Sequence, residues 1–170
     1  MILLRRWMSA VERVNNGLGK VLSLITPLVI LLTVYEVIRR YVFNSPTNWV
    51  HESSTLLFGV QYILAGAYAH YWGVHVNVDI FHSKLPARVR AWLDVVTAFF
   101  FFLFVGSMAF TSWIFFWDSW TIREHSFTDW GPPYYPVKFT LPLAFLLLGL
   151  QGLVKLTRDL HLALTGRKFT

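Results

Sequence analysis

Six histidines, nine acidic residues and no cysteine set the chemistry open to this chain of 170 residues. The lack of cysteine excludes disulfide exchange, thiolate nucleophiles and Cys-ligated metal. Glu36 is the most suggestive carboxylate, because it lies inside a long apolar run where an ionised group is expensive and often marks a proton or substrate site. Arg40 stands one helical turn later, and an i,i+4 ion pair near the end of the run accounts for Glu36 without chemistry. Glu52, beside His51, opens a second apolar run; a carboxylate suits the first turn of a helix, and Asn48 or Thr47 could cap it. Asp94 opens a third run, with Arg90 one turn before it as an available partner. A bis-histidine haem needs ligands on facing helices at matching depth. His51 and His70 sit at opposite ends of one run, and His75, His82, His125 and His161 fall in loops or ends, so a haem held within this chain is disfavoured. There is no H-x-x-x-H pair or carboxylate cluster for zinc, no Gly-rich phosphate loop and no nucleophile–base pair.

The elements that position these groups are long and apolar. Hydrophobic residues make up 55% of the chain and charged residues 14%, and the charges sit between the apolar runs. About 20 apolar residues in a helix cross a hydrocarbon core of about 30 Å. Four stretches qualify, at about 18–38, 50–71, 91–117 and 139–156; the third contains Phe99, Phe100, Phe101 and Phe102. Backbone pairing within lipid requires them to be helices. The expected fold is therefore an all-α integral membrane protein, a single membrane domain with four transmembrane helices. The run Val21–Ile38 is too long for the core of a removable signal peptide and is followed by Arg39 and Arg40, so a retained helix is expected.

Eleven of the fifteen Lys and Arg residues fall in the N-terminal segment, the loop between the second and third runs, and the C-terminal segment. Only Arg39, Arg40, Arg123 and Lys138 fall in the other two loops, so both termini are expected in the cytoplasm. The N-terminal stretch 1–17 is expected as an interfacial amphipathic helix. Leu4, Trp7, Met8, Val11 and Val14 share a face, Arg5, Arg6 and Trp7 meet the lipid interface, and Asn15, Asn16 and Gly17 turn a corner into the first span. Residues 157–170 form the expected cytoplasmic tail, with Gly166 as a helix C-cap. In the fourth run, Gln151 between Gly149 and Gly152 predicts a close helix approach and a buried amide seeking a partner; Gly59 and Gly66 are expected to serve alike. Trp130, Tyr134 and Tyr135 read as an interfacial aromatic belt. The net charge of +6 is split among short segments that suit lipid headgroups, so nucleic acid is not an expected partner.

Three ordered motifs carry a resemblance. Arg39-Arg40-Tyr41-Val42-Phe43-Asn44-Ser45-Pro46-Thr47-Asn48-Trp49 precedes Glu52. Gly73-Val74-His75-Val76-Asn77-Val78-Asp79-Ile80 precedes Leu85-Pro86 and Arg88. Pro136-Val137-Lys138 precedes Pro142 and Leu150-Gln151-Gly152. Their order and spacing resemble the small Q-type (DctQ-like) permease subunits of tripartite ATP-independent periplasmic (TRAP) transporters; a departure is Asn77, where that family often has arginine.

The resemblance implies a non-enzymatic scaffold subunit in the bacterial inner membrane with no cofactor of its own. Its expected partners are a large M-type permease subunit, which holds the sodium and substrate sites, and a periplasmic binding protein that delivers an organic acid. Arg39, Arg40, Asn44, Pro46, Trp49 and Glu52 are then expected to shape the outer rim, His75 and Asp79 to order the cytoplasmic loop, and Lys138 and Gln151 to fix the fourth span. Two other classes compete: a self-sufficient proton-coupled multidrug exporter relying on Glu36, and a haem-bearing membrane anchor.

Overall fold

The computed structural model describes residues 2–73 and 85–166, and over these the chain is all-helical. His75 and Asp79 lie outside the described residues, as do Asn77, Arg167 and Lys168. Five helices are described: α1 (Ile2–Leu22), α2 (Ile25–Tyr41), α3 (Val50–Tyr71), α4 (Ala87–Thr121) and α5 (Tyr135–Thr165). Three helical stretches, Leu3–Tyr41, Ala87–Thr121 and Tyr135–Thr165, are long and apolar enough to cross a membrane. With 22 residues, α3 has the length to do so, but Glu52, Gln61 and His70 dilute its apolar character.

α4 and α5 run antiparallel and pack along most of their length, α3 lies on α5, and α1 fills the angle between α3 and α5. α2 is peripheral: beyond its junction with α1 it packs mainly against α3, and among the described residues Val29 is its one buried residue. Glycines allow the closest approaches, as expected where helices associate by packing rather than by expelling water. A Cβ on Gly152 would stand 2.3 Å from the Phe101 ring, and one on Gly19 would stand 2.1 Å from the Tyr68 ring. Gly59 and Gly66 do not serve this purpose within the chain, because a Cβ at either position would meet nothing within 4 Å.

The corner expected at Asn15–Gly17 is not there. α1 runs unbroken through these residues, and the chain bends at Ser23–Leu24. Pro27 explains the bend, since it has no N–H for the Ser23 carbonyl and its ring crowds that carbonyl. Leu24 N–H turns instead to Val21 O at 3.1 Å, and the Ser23 hydroxyl bonds to Lys20 O at 2.7 Å. The apolar face of α1 is divided: Met8 and Val11 are buried against Val154 of α5, while Leu4, Trp7 and Val14 are exposed, as are Arg5 and Arg6. Higher along α1, Leu22 joins Leu64 and Ala144 in a second cluster near the middle of α3 and α5. α5 continues to Thr165 and ends on Gly166 in the left-handed conformation (φ 69°), whose N–H bonds Leu162 O.

Candidate functional site

The polar side chains gather at the two ends of the bundle and at one level between them. At the end bearing the 42–49 and 122–134 loops, Glu36 is enclosed by partners. One oxygen accepts Arg40 Nη2 at 2.7 Å and Nε at 3.1 Å. The other accepts the Thr47 backbone N–H at 3.1 Å and the Thr47 hydroxyl. Thr47 thus ties the loop back to α2 and does not cap α3, whose N-cap is Trp49 with no side-chain cap bond. Arg39 Nη2 bonds the Ser45 hydroxyl at 2.8 Å, and Ser45 N–H returns to Arg39 O at 3.0 Å. Between these ties Asn44 takes φ 48°, a left-handed conformation that asparagine tolerates better than most residues. Trp49 lies against Tyr35 with ring centroids 6.2 Å apart, and Pro46 is exposed at the loop surface.

Glu52 performs the same task for the second loop. It accepts the Thr128 hydroxyl at 2.5 Å and the Tyr134 hydroxyl at 2.9 Å, so residues distant in sequence hold 122–134 against the start of α3. The loop closes on itself through Ser126 N–H to Pro132 O at 2.9 Å and Tyr134 N–H to Glu124 O at 3.0 Å. Lys138 pairs with Glu124 and stands 4.1 Å over the Phe115 ring. The hydrogen bond from Lys138 holds the Glu124 carboxyl below its ordinary range, against a smaller opposing effect of burial.

Near the middle of α5, Asn15 Nδ2 donates to Gln151 Oε1 at 2.8 Å, with the two residues 0% and 3% exposed. The amide that the sequence marks as seeking a partner finds it on α1. Toward the opposite end Arg158 pairs with Glu12 at 2.6 Å, and Lys155 bridges Asp159 at 3.0 Å and Asp94 at 3.6 Å. Asp94 therefore reaches across to α5, where the sequence offers Arg90 on its own helix. Arg88 Nε and Nη2 bond the Ala163 and Leu164 carbonyls at 2.9 and 3.3 Å, satisfying groups at the C-terminus of α5.

These contacts join helices and loops; they do not assemble a reactive centre. Among the described residues no group of three or more His, Asp or Glu could hold a metal ion. The His70 ring is stacked 5.2 Å from Phe101. Asn15, Glu124, Thr128 and Tyr134 carry ties that sequence reasoning missed. Only Gln151, as an amide in an apolar run, signals the existence of its partner.

Long apolar helices that engage their polar groups with one another define a helical membrane protein. The chain belongs to the DctQ component family of the tripartite ATP-independent periplasmic transporters, whose family model matches residues 29–162. It is 27% identical over 107 residues to the C4-dicarboxylate TRAP transporter small permease protein DctQ of Vibrio cholerae serotype O1, a match covering 59% of this chain and 46% of that protein. It is 28% identical over 81 residues to the sialic acid TRAP transporter small permease protein SiaQ of the same organism, covering 46% of each chain. The chain spans about half the length of the curated relatives it matches.

Proposed function

We propose that this chain is the small membrane subunit of a sodium-coupled TRAP importer of an organic acid. It pairs with a large permease subunit and, through it, works with a periplasmic substrate-binding protein. The family match over 29–162 carries this reading. The relatives' names associate their transporters with C4-dicarboxylates and sialic acid, both organic acids.

In this reading the first two helices act as one bent span, α3, α4 and α5 are the other three, and the loops 42–49 and 122–134 face the periplasm. The distribution of Lys and Arg supports both termini in the cytoplasm, with the chain in the inner membrane. The carboxylates at the outer end support a scaffold role: Glu36 and Glu52 are occupied by Arg40, Thr47, Thr128 and Tyr134. In this reading the sodium and substrate sites belong to the large subunit.

A mild-detergent pull-down of the tagged chain from its own membranes, with mass spectrometry, tests the proposal. A stoichiometric multi-span partner several times larger is the expected result. Recovery of this chain alone, as a homodimer with proton-coupled export activity that Glu36→Gln abolishes, would overturn it.

A further inference from the structure

The faces of α1 differ in kind. Met8, Val11, Asn15 and Leu22 fall at helical spacings and form the face packed on α3 and α5. Arg6, Arg13 and Lys20 stand seven residues apart and line the face turned away from the bundle. Trp7, Val14 and Val21 repeat that spacing one residue on, as an apolar stripe beside the basic one. All six of these side chains are exposed. The two stripes run side by side for about 21 Å of helix.

Among the described residues no acidic side chain comes within ion-pair distance of Arg6, Arg13 or Lys20. Glu12, the one acidic residue of α1, is taken by Arg158 of α5 at 2.6 Å. The level of α1 is set by the same side of the helix. Met8, Glu12 and Asn15 meet Val154, Arg158 and Gln151, about one turn either side of Lys155, where the apolar run of α5 gives way to charge. α1 thus lies where α5 leaves its apolar stretch, and it continues through the bend into the helix that ends at Tyr41.

We infer that the outward face of α1 is a binding surface for anionic phospholipid, with Arg6, Arg13 and Lys20 meeting the headgroup phosphates and Trp7, Val14 and Val21 resting in the adjoining acyl boundary. Charge complementarity selects the headgroup: three cations in line, with no acidic residue on that face, attract negative lipid and gain little from neutral lipid. The apolar stripe selects a membrane over an acidic protein segment. Such a segment would neutralise the cations and leave Trp7, Val14 and Val21 in water, whereas the headgroup–acyl boundary covers both stripes at once. The inference needs only the membrane character of the chain and does not depend on the large subunit.

The tagged full-length chain, purified from its own membranes with whatever accompanies it, is equilibrated in mild detergent with equimolar phosphatidylglycerol and phosphatidylcholine. Native mass spectrometry then counts the lipids retained. Phosphatidylglycerol is expected in about fivefold excess or more. Arg6→Gln, Arg13→Gln and Lys20→Gln combined should bring the two lipids close to parity, and Arg6→Lys with Arg13→Lys, which keeps the charge, should preserve the excess. In a second experiment a photoactivatable benzophenone side chain replaces Ala10, which is exposed between the two stripes, and is irradiated in the native membrane. Adducts with lipid and none with protein are expected. Equal retention of the two lipids by the unaltered chain, an excess that survives the triple glutamine variant or is lost in the lysine variant, or a protein adduct from position 10 would each overturn the inference. Copurification of the large subunit is scored separately, so failure here leaves the scaffold reading intact.

Discussion

The two buried-polar solutions in this chain differ in kind. Near the middle of α5, α1 is joined to it by a neutral amide pair, Asn15 and Gln151, sealed from solvent beside the glycine-mediated contact of Gly152 with Phe101. At the loop end, the joints are carboxylates, Glu36, Glu52 and Glu124, each accepting hydrogen bonds from loop or helix-end groups and each partly exposed. The contrast follows from desolvation. A neutral amide can be buried at modest cost when its bond is made, whereas an ion in hydrocarbon costs several times more. Charge therefore sits toward the two ends of the bundle, where water reaches: it secures loops at one end and, through Arg158 with Glu12 and Lys155 with Asp94, helices at the other, while the neutral pair and close packing secure the helices between them.

The largest effect expected from breaking this arrangement is at Gly152. Gly152→Val forces a side chain into the Phe101 ring and should cost roughly 1–3 kcal/mol, read as a lower unfolding midpoint in detergent. Gly59→Ala, with open space above it, should leave that midpoint unchanged; equal losses in both variants would show that the α4–α5 contact is not special.

Next is the amide pair. Gln151→Leu strands the Asn15 amide and should cost about 1–2 kcal/mol, while Asn15→Leu combined with Gln151→Leu should recover most of it. A double variant as unstable as the two single losses added together would mean the pair is not coupled.

At the loop end the effects are local. Glu52→Ala should speed hydrogen exchange across 122–134 and leave α4 and α5 protected; loss of protection throughout α4 would contradict the separation of loop ties from helix joints. The smallest effect is pH dependence at Glu124. Because its carboxyl is held below the ordinary value of 4.5, the tie to Lys138 contributes fully at neutral pH and is lost as pH falls through the lowered value. Exchange at 122–138 should rise only in that acidic range, and Glu124→Gln should abolish the rise.

Several features were legible in the sequence. The apolar runs locate α2, α3, α4 and α5, and α3 begins and ends where its run does. α4 and α5 extend beyond their runs, to 35 and 31 residues, because a helix continues through flanking polar residues as long as no proline or glycine stops it. The bend in the first span was also written in the chain, at Pro27, but Asn15, Asn16 and Gly17 compete with it as the apparent breaker. An asparagine favours a turn only when its amide lacks a better partner. Whether Asn15 has one depends on Gln151, 136 residues away.

By itself, then, the sequence determined that the chain is helical and apolar, where charge could lie along it, and to which family it belongs, since these follow from local composition and ordered motifs. Tertiary structure alone decided which polar groups meet. Glu52 is tied to Thr128 and Tyr134, Asn15 to Gln151, and Tyr62 is left facing outward. A single helix has many faces of nearly equal apolar character, and only the packing of its neighbours chooses among them.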